Sequence, residues 1–229
     1  MIGVTPHERA YLTPFFAFLG LLLFSEVIKS IGEGYAHWGW AHPQYWVFPL
    51  QILVCGGILF HYRKFYGELK VYRGAMFGTA AGIIALAVWI APQWLFGADT
   101  RAEGFQPHFF AADGWAYWLN VVARFLRLVI IVPIVEELFW RGFLLRYCIR
   151  EDFENVPFGT FTWKSFLIIS VAFCFEHTRP DWPAALITSV LYNIVAYRTR
   201  SLLACVISHG VTNLLLGFYV LKTQQWGFW

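Results

Sequence analysis

The sequence has few charged residues and lacks the short motifs of common soluble enzymes. Only 14% of its 229 residues are Asp, Glu, Lys or Arg, against about a quarter in soluble domains. Its four cysteines show no CxxC spacing, and neither an HExxH pair nor a glycine-rich phosphate loop occurs. The basic residues are scattered and the formal net charge is +3. The sequence therefore predicts no disulfide framework, no structural zinc site and no nucleic-acid partner.

Apolar and aromatic residues are abundant instead. The chain is 59% hydrophobic and 20% aromatic, and its mean hydropathy is +0.55. The 12 Trp and 11 Tyr residues suit the two interfaces of a bilayer, where aromatic belts form. This composition predicts an integral membrane protein. We expect an all-α, polytopic membrane helix bundle whose polar site residues come from three core helices.

The apolar runs predict seven membrane-spanning helices. They cover residues 11–28, 46–60, 74–96, 118–149, 164–175, 182–197 and 201–221. The first is expected to be a retained span, because no signal-peptide cleavage pattern follows it. The fourth is longer than one span requires and contains Pro133. It therefore predicts either a kinked helix or two helices, which would give eight, with a break at the proline.

Basic residues between the spans predict the orientation. With the N-terminus inside, ten fall inside and four outside, which favours a cytoplasmic N-terminus and an external C-terminus. The inside set is Arg9, Arg63, Lys64, Lys70, Arg73, Arg146, Arg150, Lys164, Arg198 and Arg200, and the outside set is Lys29, Arg101, Arg179 and Lys222. We expect one membrane domain, with helices that carry no recognised motif in residues 1–117 and the functional core in residues 118–229.

Two adjacent carboxylates interrupt the fourth apolar run. Glu137 and Arg141 are four residues apart, so a helix brings them to one face, where they can pair. Glu136 is turned about 100° away and is left for another role. A buried Glu137–Arg141 pair alone could be structural. A second carboxylate beside it favours a functional site, because charges within a membrane are costly.

Later spans carry polar residues at helical spacing. Phe173 and His177 are four residues apart, and so are His209 and Asn213. Counted at 1.5 Å per residue from the inner ends of their spans, Glu136, His177, His209 and Asn213 reach one level within about two helical turns. Three helices would thus bring a carboxylate, two imidazoles and an amide together. This convergence is typical of an active site.

The order and spacing of these residues resemble the three motifs of the CAAX protease and bacteriocin-processing family of intramembrane proteases, also called CPBP or Abi. The motifs are Glu136-Glu137-x-x-x-Arg141, Phe173-x-x-x-His177 and His209-x-x-x-Asn213, and the similarity runs from about residue 119 to 217. The segment Tyr197-Arg-Thr199-Arg-Ser201-Leu202 is also similar. Arg200 departs from the pattern, which has glycine after Thr199, and Arg179-Pro-Asp181 forms a further departure directly after His177.

The resemblance implies peptide-bond hydrolysis within the membrane, as in a glutamic peptidase. Glu136 would be the general base that activates water, and His177 would help to hold that water. His209 and Asn213 would stabilise the oxyanion. Supporting roles fall to Glu137, Arg141 and Phe173. No cofactor is expected.

Other functions use the same residues. A zinc protease would take Glu136, His177 and His209 as ligands, although the metal-free mechanism is favoured. A transporter would use the buried polar groups as a proton or ion path, but no repeated halves occur. A catalytically inert scaffold is disfavoured because the motifs are complete. The expected partners are the lipid bilayer and a membrane-anchored or lipid-modified protein, cut near a terminal anchor, a leader or a CaaX-like tail. The chain's size suits a prokaryotic inner or plasma membrane.

Overall fold

Seven helices of ten or more residues, numbered α1 to α7, make up most of the part of the chain that the computed structural model describes. Their bounds are α1 Pro6–Ile31, α2 Gln44–His61, α3 Ala75–Phe96, α4 Trp115–Tyr147, α5 Trp163–Ala172, α6 Trp182–Thr199 and α7 Leu202–Thr223. The structure describes residues 4–32, 34–35, 37–110 and 114–229, and these ranges contain no strand. The predicted all-α bundle is confirmed. Within the described ranges, five helices, all except α5 and α6, are long and apolar enough to cross a membrane.

Helix α4 is one continuous helical run. Its hydrogen bonds follow the α pattern at Trp115–Phe125, Val132–Glu137 and Leu145–Tyr147, and the wider π pattern at Leu126–Ile131 and Leu138–Leu144. Of the two alternatives that the sequence left open, a kinked helix or two helices, the structure has a single helical run. Pro133 lies inside the central α stretch, where a change to π hydrogen bonding on its N-terminal side takes the place of a break.

The connecting segments gather at two opposite ends of the bundle. At one end, Glu68, which follows α2, accepts hydrogen bonds from the Tyr11 hydroxyl at 2.6 Å and from Arg146 at 3.0 Å. At the other end, the Tyr45 hydroxyl donates to the carbonyl oxygen of Gln106 at 2.8 Å. The start of α1, the end of α2 and the end of α4 thus meet at one end. For α1 to α4, this alternation agrees with the order of crossings predicted from sequence.

Close contacts hold α3 against α7. Gly78 and Gly82 lie four residues apart on α3, and a Cβ atom at either position would collide with a backbone carbonyl of α7, that of Ala204 or that of Ser208. Small residues at this spacing let membrane helices approach backbone to backbone. Because Ser208 is next to His209, this contact fixes the height of one predicted site residue.

Helix α1 packs along the second π stretch of α4. The ring of Phe15 stacks on that of Phe139 with centroids 3.7 Å apart. Gly142 leaves room for the Tyr11 ring, which a Cβ would strike at 2.7 Å. A helix without any recognised motif therefore supports the helix that carries both carboxylates.

Candidate active site

The pair predicted within α4 forms as expected. Arg141 donates from Nη1 to Oε1 of Glu137 at 3.1 Å, and both side chains are fully buried. Arg141 is held further by α6, through Oδ1 of Asn193 at 3.2 Å and Oγ of Ser189 at 3.1 Å. Its guanidinium also lies 4.9 Å from the ring centroid of Phe173. A buried charge is tolerated only when it is paired and hydrogen-bonded, and Arg141 meets both conditions.

His209 of α7 lies between the two adjacent carboxylates. Its Nδ1 is 3.1 Å from Oε1 of Glu137, and its Nε2 is 3.9 Å from Oε2 of Glu136. The first contact is a hydrogen bond, and the second is longer than one. Glu137 therefore orients the imidazole ring. The ring then presents Nε2 to Glu136.

Glu136 lines a cavity of about 350 Å³ among α1, α3, α4, α6, α7 and the segment after α5. Its side chain retains 13% of its accessible surface, whereas that of Glu137 retains none. Among the described residues, Glu136 has no arginine or lysine ion-pair partner. Of the two adjacent carboxylates, Glu136 is thus the one that a substrate or water can reach.

His177 lines the same cavity but is not on a helix. Helix α5 ends at Ala172, a 3₁₀ turn covers Phe173–Glu176, and His177 follows in extended conformation. Tightening to 3₁₀ winding is common at the end of a helix. The expected Phe173–His177 contact forms despite this change, with ring centroids 5.1 Å apart and Nδ1 of His177 3.2 Å from the carbonyl oxygen of Phe173. Since a carbonyl only accepts, that nitrogen carries the hydrogen.

Asn213 lines the cavity and is tied to the backbone of α4. Its Nδ2 donates to the carbonyl oxygen of Leu128 at 2.8 Å. In the π stretch, the N–H of Val132 bonds to the carbonyl of Arg127, five residues earlier. The same pattern would give Leu128 the N–H of residue 133, which is a proline and has none. Asn213 therefore supplies the missing donor, and its second amide hydrogen is left for the cavity.

The predicted site residues thus meet at one cavity. They fall into residues that line it and residues that lie behind the lining, a division that the sequence did not specify. Glu136, Phe173, His177, His209 and Asn213 line the cavity. Glu137 and Arg141 lie behind this lining and contact it through His209 and Phe173.

Two further polar residues belong to the site, and sequence reasoning missed them. Glu176 lines the cavity beside His177 and accepts a hydrogen bond from Nε1 of Trp140 at 2.7 Å. Arg127 lines it from α4 and donates to Gln51 of α2 at 2.6 Å. Both are polar residues in or next to an apolar run. That signal was available, since such residues mark functional positions in membranes.

The two departures from the family pattern have simple structural outcomes. Arg200 caps α6 in the left-handed region at φ +50°, where glycine is favoured, and so keeps the expected turn. Arg179–Asp181 form a 3₁₀ turn. Asp181 there pairs with Arg101 at 2.5 Å, and both residues line the cavity.

The site contains side chains of the types that bind metal ions. Glu136, His177 and His209 are suitable ligand types, but in the part of the chain that the structure describes no three His, Cys, Asp or Glu side chains are grouped to hold a metal. His209 also directs Nδ1 to Glu137. The arrangement of these side chains therefore does not fit a three-ligand zinc site.

Fold and site together define the class: a multi-pass helical membrane protein with a polar cavity among apolar helices. Residues 118–215 match the family model described as type II CAAX prenyl endopeptidase Rce1-like. This segment runs from α4 into α7 and contains all three motifs. The predicted resemblance to the CAAX protease family is confirmed, and the match supports a membrane-embedded endopeptidase. Comparison with curated proteins and with solved structures gives no match.

Proposed function

We propose that the protein is an intramembrane endopeptidase of the glutamate type. Glu136 acts as a general base and takes a proton from a water molecule, which attacks the carbonyl carbon of the scissile peptide bond. His177 helps to hold this water. The Glu136 carboxyl group then delivers the proton to the leaving nitrogen, so that the carboxylate is restored.

The oxyanion of the tetrahedral intermediate needs hydrogen-bond donors fixed in advance. Asn213 supplies its second amide hydrogen, because the first is committed to Leu128. His209 supplies Nε2–H in its protonated form, with Glu137 on the far side of the ring. Arg141 and Phe173 keep Glu137 and His177 in position.

One observation carries the proposal: the two adjacent carboxylates have different environments. Glu137 accepts from both Arg141 and His209 through the same oxygen and is fully buried. Glu136 faces the cavity and His209, and it has no arginine or lysine ion-pair partner in the described ranges. The difference supports a division between a reactive carboxylate and a supporting one.

The test uses purified protein in liposomes and a quenched fluorescent peptide with a lipid-modified cysteine near its C-terminus. Glu136→Gln keeps the side-chain shape and should abolish cleavage. Glu68→Gln is the matched control, since this carboxylate pairs with Arg146 at one end of the bundle and does not line the site cavity. Cleavage that survives Glu136→Gln would contradict the glutamate mechanism.

Two rival functions have their own outcomes in this experiment. Stoichiometric zinc by elemental analysis, with activity lost to a chelator and restored by zinc, would support the metalloprotease. Proton or ion flux without cleavage, abolished by Glu136→Gln and His209→Ala but spared by Asn213→Ala, would support a transporter.

For the substrate we propose a protein with a terminal membrane anchor, a leader peptide or a CaaX-like tail. The family match supports a peptide substrate in the bilayer. We further propose a prokaryotic inner or plasma membrane, with the N-terminus cytoplasmic as the basic residues favour. A comparison of membrane proteomes with and without the protein, which looks for an uncleaved anchor, tests the substrate class.

A further inference from the structure

Arg127 is an intramembrane arginine that the proposed chemistry does not use. It is 5% exposed and lines the cavity that contains Glu136. Its guanidinium lies 4.2 Å from the ring centroid of Phe48 and 5.0 Å from that of Phe18. In the described residues it has no carboxylate partner, in contrast to Arg101, Arg141 and Arg146. An unpaired charge at this depth is costly, so a function is the default explanation.

The orientation of Arg127 is fixed from one side. Its Nε donates to Oε1 of Gln51 at 2.6 Å, and Nε2 of Gln51 donates to the carbonyl oxygen of Phe18 at 3.0 Å. Gln51 is fully buried. This arrangement uses the Nε–H and leaves the two terminal nitrogens, which form the fork that binds a carboxylate in bidentate fashion.

We infer that Arg127 binds the C-terminal carboxylate of the substrate and is therefore a specificity-determining residue. The inference rests on the proposed function. The other arginine at the cavity, Arg101, is already paired with Asp181. Arg127 thus presents to the cavity a positive charge that has no carboxylate ion pair among the described residues, together with its hydrogen-bonding fork.

The spacing along α4 agrees with this role. Arg127 and Glu136 are nine residues apart, which corresponds to about 13 Å of helix. Three extended residues span about 10 Å, and the arginine side chain supplies further reach. A peptide bond at Glu136 and a carboxylate at Arg127 would therefore be separated by about three residues. Three is also the number of residues that follow the cysteine in a CaaX-like tail.

The experiment compares one peptide in two forms, a free C-terminal acid and a C-terminal amide. In this peptide the prenylated cysteine is the fourth residue from the C-terminus, so that three residues follow it. Binding is measured on the Glu136→Gln protein, so that the readout does not depend on turnover. We expect the acid to bind about 10- to 100-fold more tightly than the amide. Adding Arg127→Gln should reduce this ratio to about one, and Arg127→Lys should give an intermediate ratio.

Arg124→Gln is the matched control. Arg124 is equally buried on α4 and lies 4.8 Å from the Phe48 ring centroid, but it does not line the cavity. It should leave the acid-to-amide ratio unchanged.

Equal binding of the two forms, or no binding of either, would overturn the assignment of Arg127. An acid-to-amide affinity ratio near one, together with binding of phosphatidylglycerol vesicles that depends on Arg127, would also overturn it. That result would identify a lipid phosphate as the ligand of Arg127. Cleavage by the unmodified protein is scored separately. Failure of the proposed protease function is therefore distinguishable from failure of this inference.

Discussion

The hydrogen bond from Asn213 to Leu128 can be tested through the proline that makes it necessary. Asn213→Ala removes the donor and leaves a carbonyl oxygen unsatisfied in an apolar setting, which costs about 1–3 kcal/mol. Pro133→Ala returns a backbone N–H at the position that π hydrogen bonding would use. We therefore expect Pro133→Ala to recover most of the stability lost in Asn213→Ala, with a coupling free energy of about 1–2 kcal/mol.

The assay is thermal unfolding of the two single variants, the double variant and the unmodified protein in one detergent, followed by tryptophan fluorescence. Asn213→Ala should lower the melting temperature by about 3–10 °C, and the double variant by clearly less. Asn120→Ala is the control. Asn120 also donates to a backbone carbonyl, that of Pro107 at 3.0 Å, and Pro133→Ala should not rescue it.

Activity separates the two roles of Asn213. Loss of an oxyanion donor costs about 10²- to 10³-fold in turnover, and a restored backbone N–H at residue 133 does not replace it. The double variant should therefore be stable but at least tenfold less active than the unmodified protein. If the changes in melting temperature caused by Asn213→Ala and Pro133→Ala simply add in the double variant, the role given to Pro133 is refuted. Full recovery of turnover in the double variant would leave Asn213 with a structural role only.

Three further predictions concern the helices around the cavity. Arg141→Ala should lower the melting temperature, the yield and the activity, because it leaves the buried Glu137 carboxylate unpaired at a cost of about 3–5 kcal/mol. Glu136→Gln should instead lose turnover with a nearly unchanged melting temperature, and equal stability of the two variants would contradict the division between support and chemistry. Arg200→Gly should stabilise α6 by about 0.5–1 kcal/mol in thermal unfolding, since glycine adopts positive φ at less cost; unchanged or lower stability would speak against strain there. Gly78→Val should weaken the α3–α7 contact by about 1–3 kcal/mol and reduce cleavage. Gly57→Ala, at a position with open space around it, should do neither, and equal melting temperatures of the two variants would contradict the close contact.

Local spacing in the sequence predicted contacts within one helix or turn. Glu137 with Arg141, and Phe173 with His177, are four residues apart and do meet. The second pair meets although His177 lies beyond the helix, because a 3₁₀ turn also brings such residues close. The seven helical segments followed from apolar run length, which the width of the bilayer sets.

Contacts between helices were less accessible from sequence. Nothing in the spacing indicates that Nδ1 of His209 bonds to Glu137 rather than to Glu136, because that choice depends on how α7 is rotated against α4. The packing of Gly82 against α7 helps to set this rotation. Likewise, Gln51 and Arg127 meet only because α2 and α4 pack together. Each residue alone is a polar interruption, and only tertiary structure makes the two a pair.

The first π stretch of α4 sets the rotational phase between two functional positions. An α-helix turns about 100° per residue, so residues nine apart would point to opposite sides. Arg127 and Glu136 nevertheless line one cavity, because the wider turns at Leu126–Ile131 place more residues in each revolution. Substitutions that restored plain α winding there without changing the number of residues would rotate everything downstream by about 100°. The chemistry carried by α4 therefore depends on the winding of this stretch as well as on the identity of its residues.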